Sequence, residues 1–213
     1  MKRVQWMAAA LAVTVCLSTG RAIAHDHGHD HAQVDEHAQA ETTTLTVDKA
    51  HTDIGFSIRH MVLSRVRGHF GEYEASLEID DNNQLVSANA TIEVASINTA
   101  NEKRDDHLRA DDFFDAEQFP QITFVGKHVE EVNGQKVLVG DFTIRDVTRE
   151  LRLPFTLVGP VQDPWGNTKY GFQATVTINR MDYGLTWSRA LETGGLVVGE
   201  EVEISLEMQF QKS

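Results

Sequence analysis

Five of the chain's ten histidines lie in HDHGHDHAQVDEH, residues 25–37, interleaved with Asp26, Asp30, Asp35 and Glu36. If the chain is cut after Ala24, a free α-amine sits on His25 and His27 stands in third position. The amine, two amide nitrogens and one imidazole then make a four-nitrogen plane suited to Cu(II) or Ni(II). His29 and His31, with His37 and the acids between them, offer looser ligands for Zn²⁺. No fold is required, because such a tail organises around the ion. The same composition also describes a solvated acidic spacer whose metal binding is incidental. The metal candidates are therefore His25, His27, His29 and His31, and no cofactor is required.

A second group is the basic run RHMVLSRVRGH, residues 59–69, which carries Arg59, His60, Arg65, Arg67 and His69 and no acid. Arg65 and Arg67 are candidates for holding a phosphate head group, since guanidinium donors suit bidentate phosphate contact. Alternatively they neutralise Glu72, Glu74 and Glu78 across strands. A third group is RDDH, residues 104–107. Asp105 and His107 suggest an acid/base pair, but residues two apart on a helix point away from each other. No G-x-S-x-G nucleophile pattern is present. The expectation is a binding protein rather than an enzyme, with Arg104 and Asp105 as buried polar anchors of the helix.

The elements that position these groups begin after a leader. Met1 to Arg3 are positively charged, Val4 to Leu17 are mostly apolar, and Ala22-Ile23-Ala24 is a small-x-small cleavage pattern. The leader of residues 1–24 predicts export to the periplasm, and it removes Cys16. The intact chain has a formal charge of −13; without Lys2, Arg3 and Arg21 it becomes −16. That sign argues against nucleic acid and against an anionic bilayer surface, and no stable membrane insertion is expected. A homodimer is left open. Residues 25–43 are too polar to offset their ordering entropy and read as a disordered tail. One domain is expected over 44–213.

Within it the dominant period is two. Ile54, Phe56 and Ile58 alternate with polar or small residues, and the pattern returns around Tyr73, Phe124, Phe142, Phe172 and Ile204. One-faced alternation over about eight segments predicts antiparallel strands around a core. Turn signals separate them at Asp80–Asn83, Asn133-Gly134 and Asp163–Asn167. Thr99 and Glu102 suggest a capping box for a helix near 100–109, with Arg104, His107 and Leu108 on one face. Asp111 and Asp112 then cap a further short turn carrying Phe113 and Phe114. The fold class is all-β: an eight-stranded antiparallel barrel, because closure removes exposed edges. Its interior is either a packed core or a cavity for one small ligand. Phe56, Ile58, Tyr73, Phe124, Phe142 and Phe172 are the inward candidates.

The runs HTDIGFSIRHMVLSRVRGHFGEYEASLEI, EKRDDHLRADDFFDAEQFPQITF, GDFTIRDVTRELRLPF, GFQATVTINRMDYGLTW and GEEVEISLEM together resemble the YceI-like family of polyisoprenoid-binding, lipocalin-like proteins. The resemblance covers Thr44 to Lys212. It implies an elongated apolar pocket for a polyprenyl chain or similar amphiphile, with a long-chain isoprenoid lipid as partner. On the family pattern His51, Gly68, Asp105, Leu108, Pro120, Gly140, Thr143, Thr148 and Gly184 fall on motif positions. So do His60, Phe70, Phe114, Arg104 and His107, which join the ligand-binding candidates. Asp146 departs from the pattern where glycine is often found, which puts the local turn in question.

Overall fold

The computed structural model describes residues 41–212 except 62 and 192–195. The leader and the histidine candidates of the tail lie outside the described residues. Among those described, no helix is long and apolar enough to cross a membrane.

Eleven strand segments form one sheet: β1 (Thr43–Val47), β2 (Asp53–His60), β3 (Ser64–Phe70), β4 (Tyr73–Ile79), β5 (Leu85–Glu93), β6 (Ile97–Asn98), β7 (Gln121–Val132), β8 (Gln135–Ile144), β9 (Val147–Gln162), β10 (Thr168–Asn179) and β11 (Val198–Lys212). The helix α1 (Glu102–Arg109) lies between β6 and β7. Three pairs of segments are single strands with a break. β1 and β2 both pair with β11, through Leu45↔Lys212 and Ile54↔Leu206. β4 and β3 pair with β1 and β2 in turn, and β5 and β6 pair with β4 and β3. Counted through their breaks, the strands make an eight-stranded up-and-down barrel. Every neighbour is antiparallel, and β11 closes it against β1.

The alternation that predicts the strands also sets their faces. Tyr170, Phe172, Ala174 and Ile178 on β10 are all buried, with exposed Gln173, Thr175 and Thr177 between them. At one end the barrel is floored by packed side chains. Leu45, Leu138 and Phe210 are fully buried, and the rings of Phe155 and Phe172 stack at 5.4 Å. The predicted turns close this end. Asp80 Oδ1 accepts from the amides of Asn82 and Gln84, and Asp163 Oδ1 from those of Trp165 and Asn167. Asn133 and Gly134 adopt φ values of 52° and 80°, the left-handed pair of a tight hairpin. At the opposite end, the helix end, β2, β8 and β10 finish and α1 sits beside β6. There Ile144 pairs with Val147 across a two-residue turn in which Arg145 has φ 56°, so the turn at Asp146 forms without glycine.

The helix begins later than expected and is capped differently. Asn101, not Thr99, is the N-cap: its Oδ1 accepts from the Arg104 amide at 3.0 Å. Ala100 has φ 57°, which turns the chain between the two residues. The capping box of Thr99 and Glu102 is not formed, because the Thr99 hydroxyl is committed to the buried carboxylate of Asp105. Asp112 likewise pairs with His107 at 3.1 Å instead of serving as a cap.

The break between β1 and β2 is held by Asp48. Its carboxylate accepts from Lys169 Nζ at 3.0 Å, Gln209 Nε2 at 2.9 Å and the Ala50 amide at 3.2 Å. The Lys169 bond is the largest cause that lowers its pKa to about 2. A folded pKa below the unfolded value means stability that is present above pH ~4 and is lost as pH falls toward 2. Asp48→Asn should cost about 1–2 kcal/mol at pH 7. In denaturant unfolding the difference from wild type should shrink by roughly half at pH 3. A difference independent of pH would show that the carboxylate charge is not what holds the break.

Candidate functional site

The barrel encloses a cavity of about 340 Å³ that runs from the helix end toward the floor, within the usual range for small-molecule sites. Its shaft is apolar, walled by residues such as Phe124, Phe142, Phe172, Ile204, Leu206 and Met208. Two large rings reach it because the facing strand offers glycine. Phe56 lies over Gly68, where a Cβ would stand 2.4 Å from the ring, and Phe124 lies over Gly140, where it would stand 2.5 Å away. Large rings set against bare backbone let the wall close without filling the interior.

The roof is built on α1. Asp105 is 7% exposed and accepts from the Thr99 amide at 2.9 Å and the Thr99 hydroxyl at 2.5 Å. Arg104 donates from Nε to the Thr99 hydroxyl at 2.7 Å and from Nη2 to the Thr99 carbonyl at 2.9 Å. One threonine therefore receives two charged side chains of the helix and ties it to the end of β6. Above the shaft, His107 makes edge contacts with Phe113 at 5.0 Å and Trp187 at 5.2 Å. Phe114 meets Phe70 at 6.3 Å, and Phe70 meets Phe56 at 5.8 Å. Asp105 and His107 do not meet. The first is taken by Thr99 and the second by Asp112, so the helix acts as a lid anchor and not as an acid/base pair.

Of the ligand-binding candidates, Phe56, Ile58, Phe124, Phe142 and Phe172 line the cavity, as do His60, Phe70, Phe114, Arg104 and His107. Three are placed elsewhere. Tyr73 is buried in the core, and its hydroxyl donates to the Thr52 carbonyl at 3.1 Å. Arg65 and Arg67 stand exposed on the outer face of β3, because Val66, Gly68 and Phe70 occupy the inward positions. Arg65 donates to Ser57 Oγ at 2.6 Å and lies 3.6 Å from Glu203. Its acidic neighbour across the strands is Glu203 on β11, and not Glu72, Glu74 or Glu78. The lining residues missed by sequence reasoning include Arg180, Leu185, Trp187, Val197 and Val198 at the helix end, and Val66, Asn89 and Leu138 along the strands. Arg180 carried a usable signal, since it continues the inward parity of Phe172, Ala174, Val176 and Ile178. Among the described residues no group of three or more His, Cys, Asp or Glu is placed to hold a metal.

A closed up-and-down β-barrel with a lidded apolar cavity defines a small-ligand-binding class of fold. Residues 45–210 match the YceI-like domain, and the chain belongs to that family. A UPF0312 protein of Staphylococcus aureus strain MSSA476 is 39% identical over 173 residues, covering 80% of this chain and 99% of the relative. Among solved structures, the YCEI protein of Campylobacter jejuni has a TM-score of 0.63 at 32% identity and covers 79% of this chain and 97% of its own. BcnA of Burkholderia cenocepacia, with a TM-score of 0.66 at 23% identity over 76% of this chain and 98% of its own, shows the same fold.

The pairing of Phe56 with Gly68 gives a direct test of the wall. A methyl at position 68 would also meet Thr99 Cγ2 at 2.8 Å, so Gly68→Ala must push either the ring inward or the helix anchor outward. The expected result is a loss of about 1–3 kcal/mol in unfolding free energy, with reduced uptake of an apolar fluorescent probe. Unchanged stability and uptake would show that the wall gives way at no cost.

Proposed function

We propose that the protein binds a long isoprenoid or similar amphiphilic lipid inside the barrel, for carriage or storage. The observation that carries this reading is the lidded apolar cavity of about 340 Å³, with its ionisable residues gathered at one end. An isoprenoid chain has no hydrogen-bonding groups, so its recognition is burial of apolar area at roughly 25 cal/mol per Å² in a shaped tube. A domain of Saccharophagus degradans described as polyisoprenoid-binding supports the reading by its fold, with a TM-score of 0.59 at 14% identity over 81% of this chain and all of its own. The leader pattern of residues 1–24 supports a periplasmic setting, where a lipid needs a carrier to cross water. The histidines of the tail are then an attachment to the barrel, free to take Cu(II), Ni(II) or Zn²⁺ independently of the cavity.

Organic extraction of the purified protein, followed by mass spectrometry, should recover a lipid with a repeating isoprenoid or long aliphatic tail. Phe124→Asp places a charge in the shaft and should abolish uptake of added polyprenyl lipid while leaving Cu(II) binding by the mature protein unchanged. Empty extracts, with no binding of added lipid and no rise in Tm, would defeat this reading.

For the tail, calorimetry should show tighter Cu(II) binding to mature protein than to a variant with one extra residue before His25, which moves His27 to fourth position. Equal affinity would rule out the four-nitrogen site.

A further inference from the structure

The described residues that line the cavity include no carboxylate. Their ionisable members are Arg59, His60, Arg104, His107 and Arg180. All five stand at the helix end: the first two close β2, the next two belong to α1, and Arg180 follows β10. Arg59, opposite Arg65, turns its exposed side chain to the outer face, which leaves His60, Arg104, His107 and Arg180 as the inward basic groups. The chain around them carries a formal charge of −13, so this local sign is opposite to that of the molecule.

Arg180 is the least satisfied of the five. It is only 2% exposed. Its Nε donates to the Gly199 carbonyl at 2.8 Å and its Nη1 donates to the Leu185 carbonyl. Its Nη2 is buried and has no hydrogen-bond partner among the described residues. Two neutral carbonyls orient the guanidinium without neutralising it. Burial pushes its pKa down, and Glu200 opposes that only through space. A guanidinium nonetheless keeps its proton in proteins. An uncompensated buried cation with a free donor is costly, and such groups are ordinarily paired.

We propose that Arg180 is completed by the ligand: the bound amphiphile carries an anionic head group, a phosphate or a carboxylate. One of its oxygens accepts from Nη2 of Arg180 at the helix end, while its tail runs down the shaft toward Phe172 and Met208. The proposal rests on the lipid-binding reading and adds the class of head group to it. It also moves the phosphate chemistry from Arg65 and Arg67, which face outward, to the arginine that continues the inward row of β10. The two carbonyls hold the guanidinium plane in place before the ligand arrives, so little ordering entropy is lost on contact.

The test compares two C15 isoprenoids of equal tail length, a monophosphate and the corresponding alcohol, with inorganic phosphate as a third probe, on delipidated mature protein. The monophosphate should bind about 30-fold more tightly than the alcohol, the size of a charge-assisted hydrogen bond. Inorganic phosphate alone should leave Tm unchanged. Arg180→Gln should bring the two lipids within about threefold of each other, and Arg180→Lys should keep a preference for the monophosphate. Where Arg180→Gln fails to fold, the wild-type comparison still decides the head-group class, and a loss of the preference in Arg180→Lys would overturn the assignment to Arg180. Equal affinity for both lipids overturns the head-group proposal and leaves the lipid reading standing. Stabilisation by inorganic phosphate equal to that by the lipid monophosphate overturns it in favour of a free-anion site. Equal weakening of both lipids in Arg180→Gln makes the residue structural only. Failure of both lipids to bind removes the proposal together with the lipid-binding reading beneath it.

Discussion

The structure depends on β11 closing the sheet. That strand pairs with β10 along its length from Lys169↔Gln211 to Asn179↔Glu201, and on its other side with β2 and then β1. A sheet of eight strands left open would present two rows of unpaired backbone groups, which attract other chains. Closure removes them and also encloses a volume. At eight strands the interior is about wide enough to be filled by side chains or to hold one small ligand. Which of the two results is decided by how large and small residues alternate across neighbouring strands.

Here the choice falls on the cavity through a few placements. Phe56 over Gly68 and Phe124 over Gly140 set rings close against bare backbone. Ala88 and Ala90 on β5 and Ala75 on β4 leave the middle of the shaft open, while Leu45, Leu138 and Phe210 seal the floor. The helix end could not be sealed in the same way, because the β5–β7 ladder ends at Glu93↔Gln121 with the Val94 amide on the Pro120 carbonyl, and a 3-10 turn over Val94–Ser96 then carries the chain to β6, which pairs with β3. α1 occupies that departure. It is fastened by hydrogen bonds to Thr99, not by a broad apolar face, and among its residues only Asp105 is fully buried. A lid held by a compact polar anchor can keep its position while the apolar surface beneath it stays available to a ligand.

Most of this architecture was legible in the sequence. Period-two alternation marks which residues face inward, and the turn chemistry of Asp80, Asn133-Gly134 and Asp163 marks the closed end. The count of eight strands survives the three breaks, because the segments on either side of each break still pair with the same neighbouring strand, although β6 pairs with β3 alone. The helix cap was not legible. Thr99 with Glu102 satisfies the local capping pattern, but the competing acceptor, Asp105, reveals itself only when the helix is packed and its carboxylate is out of water. A buried carboxylate needs donors more than a helix end needs one particular cap, so Asn101 takes the cap and Thr99 serves the carboxylate.

The basic residues show the same contest between local pattern and placement. A run of arginines without acids at 59–69 draws attention as a composition, yet composition carries no direction. Parity does. Arg65 and Arg67 share a face with His69 and oppose Val66 and Phe70, so they cannot enter the barrel without turning its core residues out. Arg180 is the one basic residue in TINRMDYG, with Asp182 two positions on, and is inconspicuous as a composition, but it falls in step with four inward residues of β10. The row that makes the apolar wall therefore delivers a single guanidinium to its end, where the sheet gives way to a short 3-10 turn and carbonyls become free to hold it. Apolar shaft and cationic terminus arise from one strand read in one register, so the cavity's polarity is a consequence of the fold's own alternation.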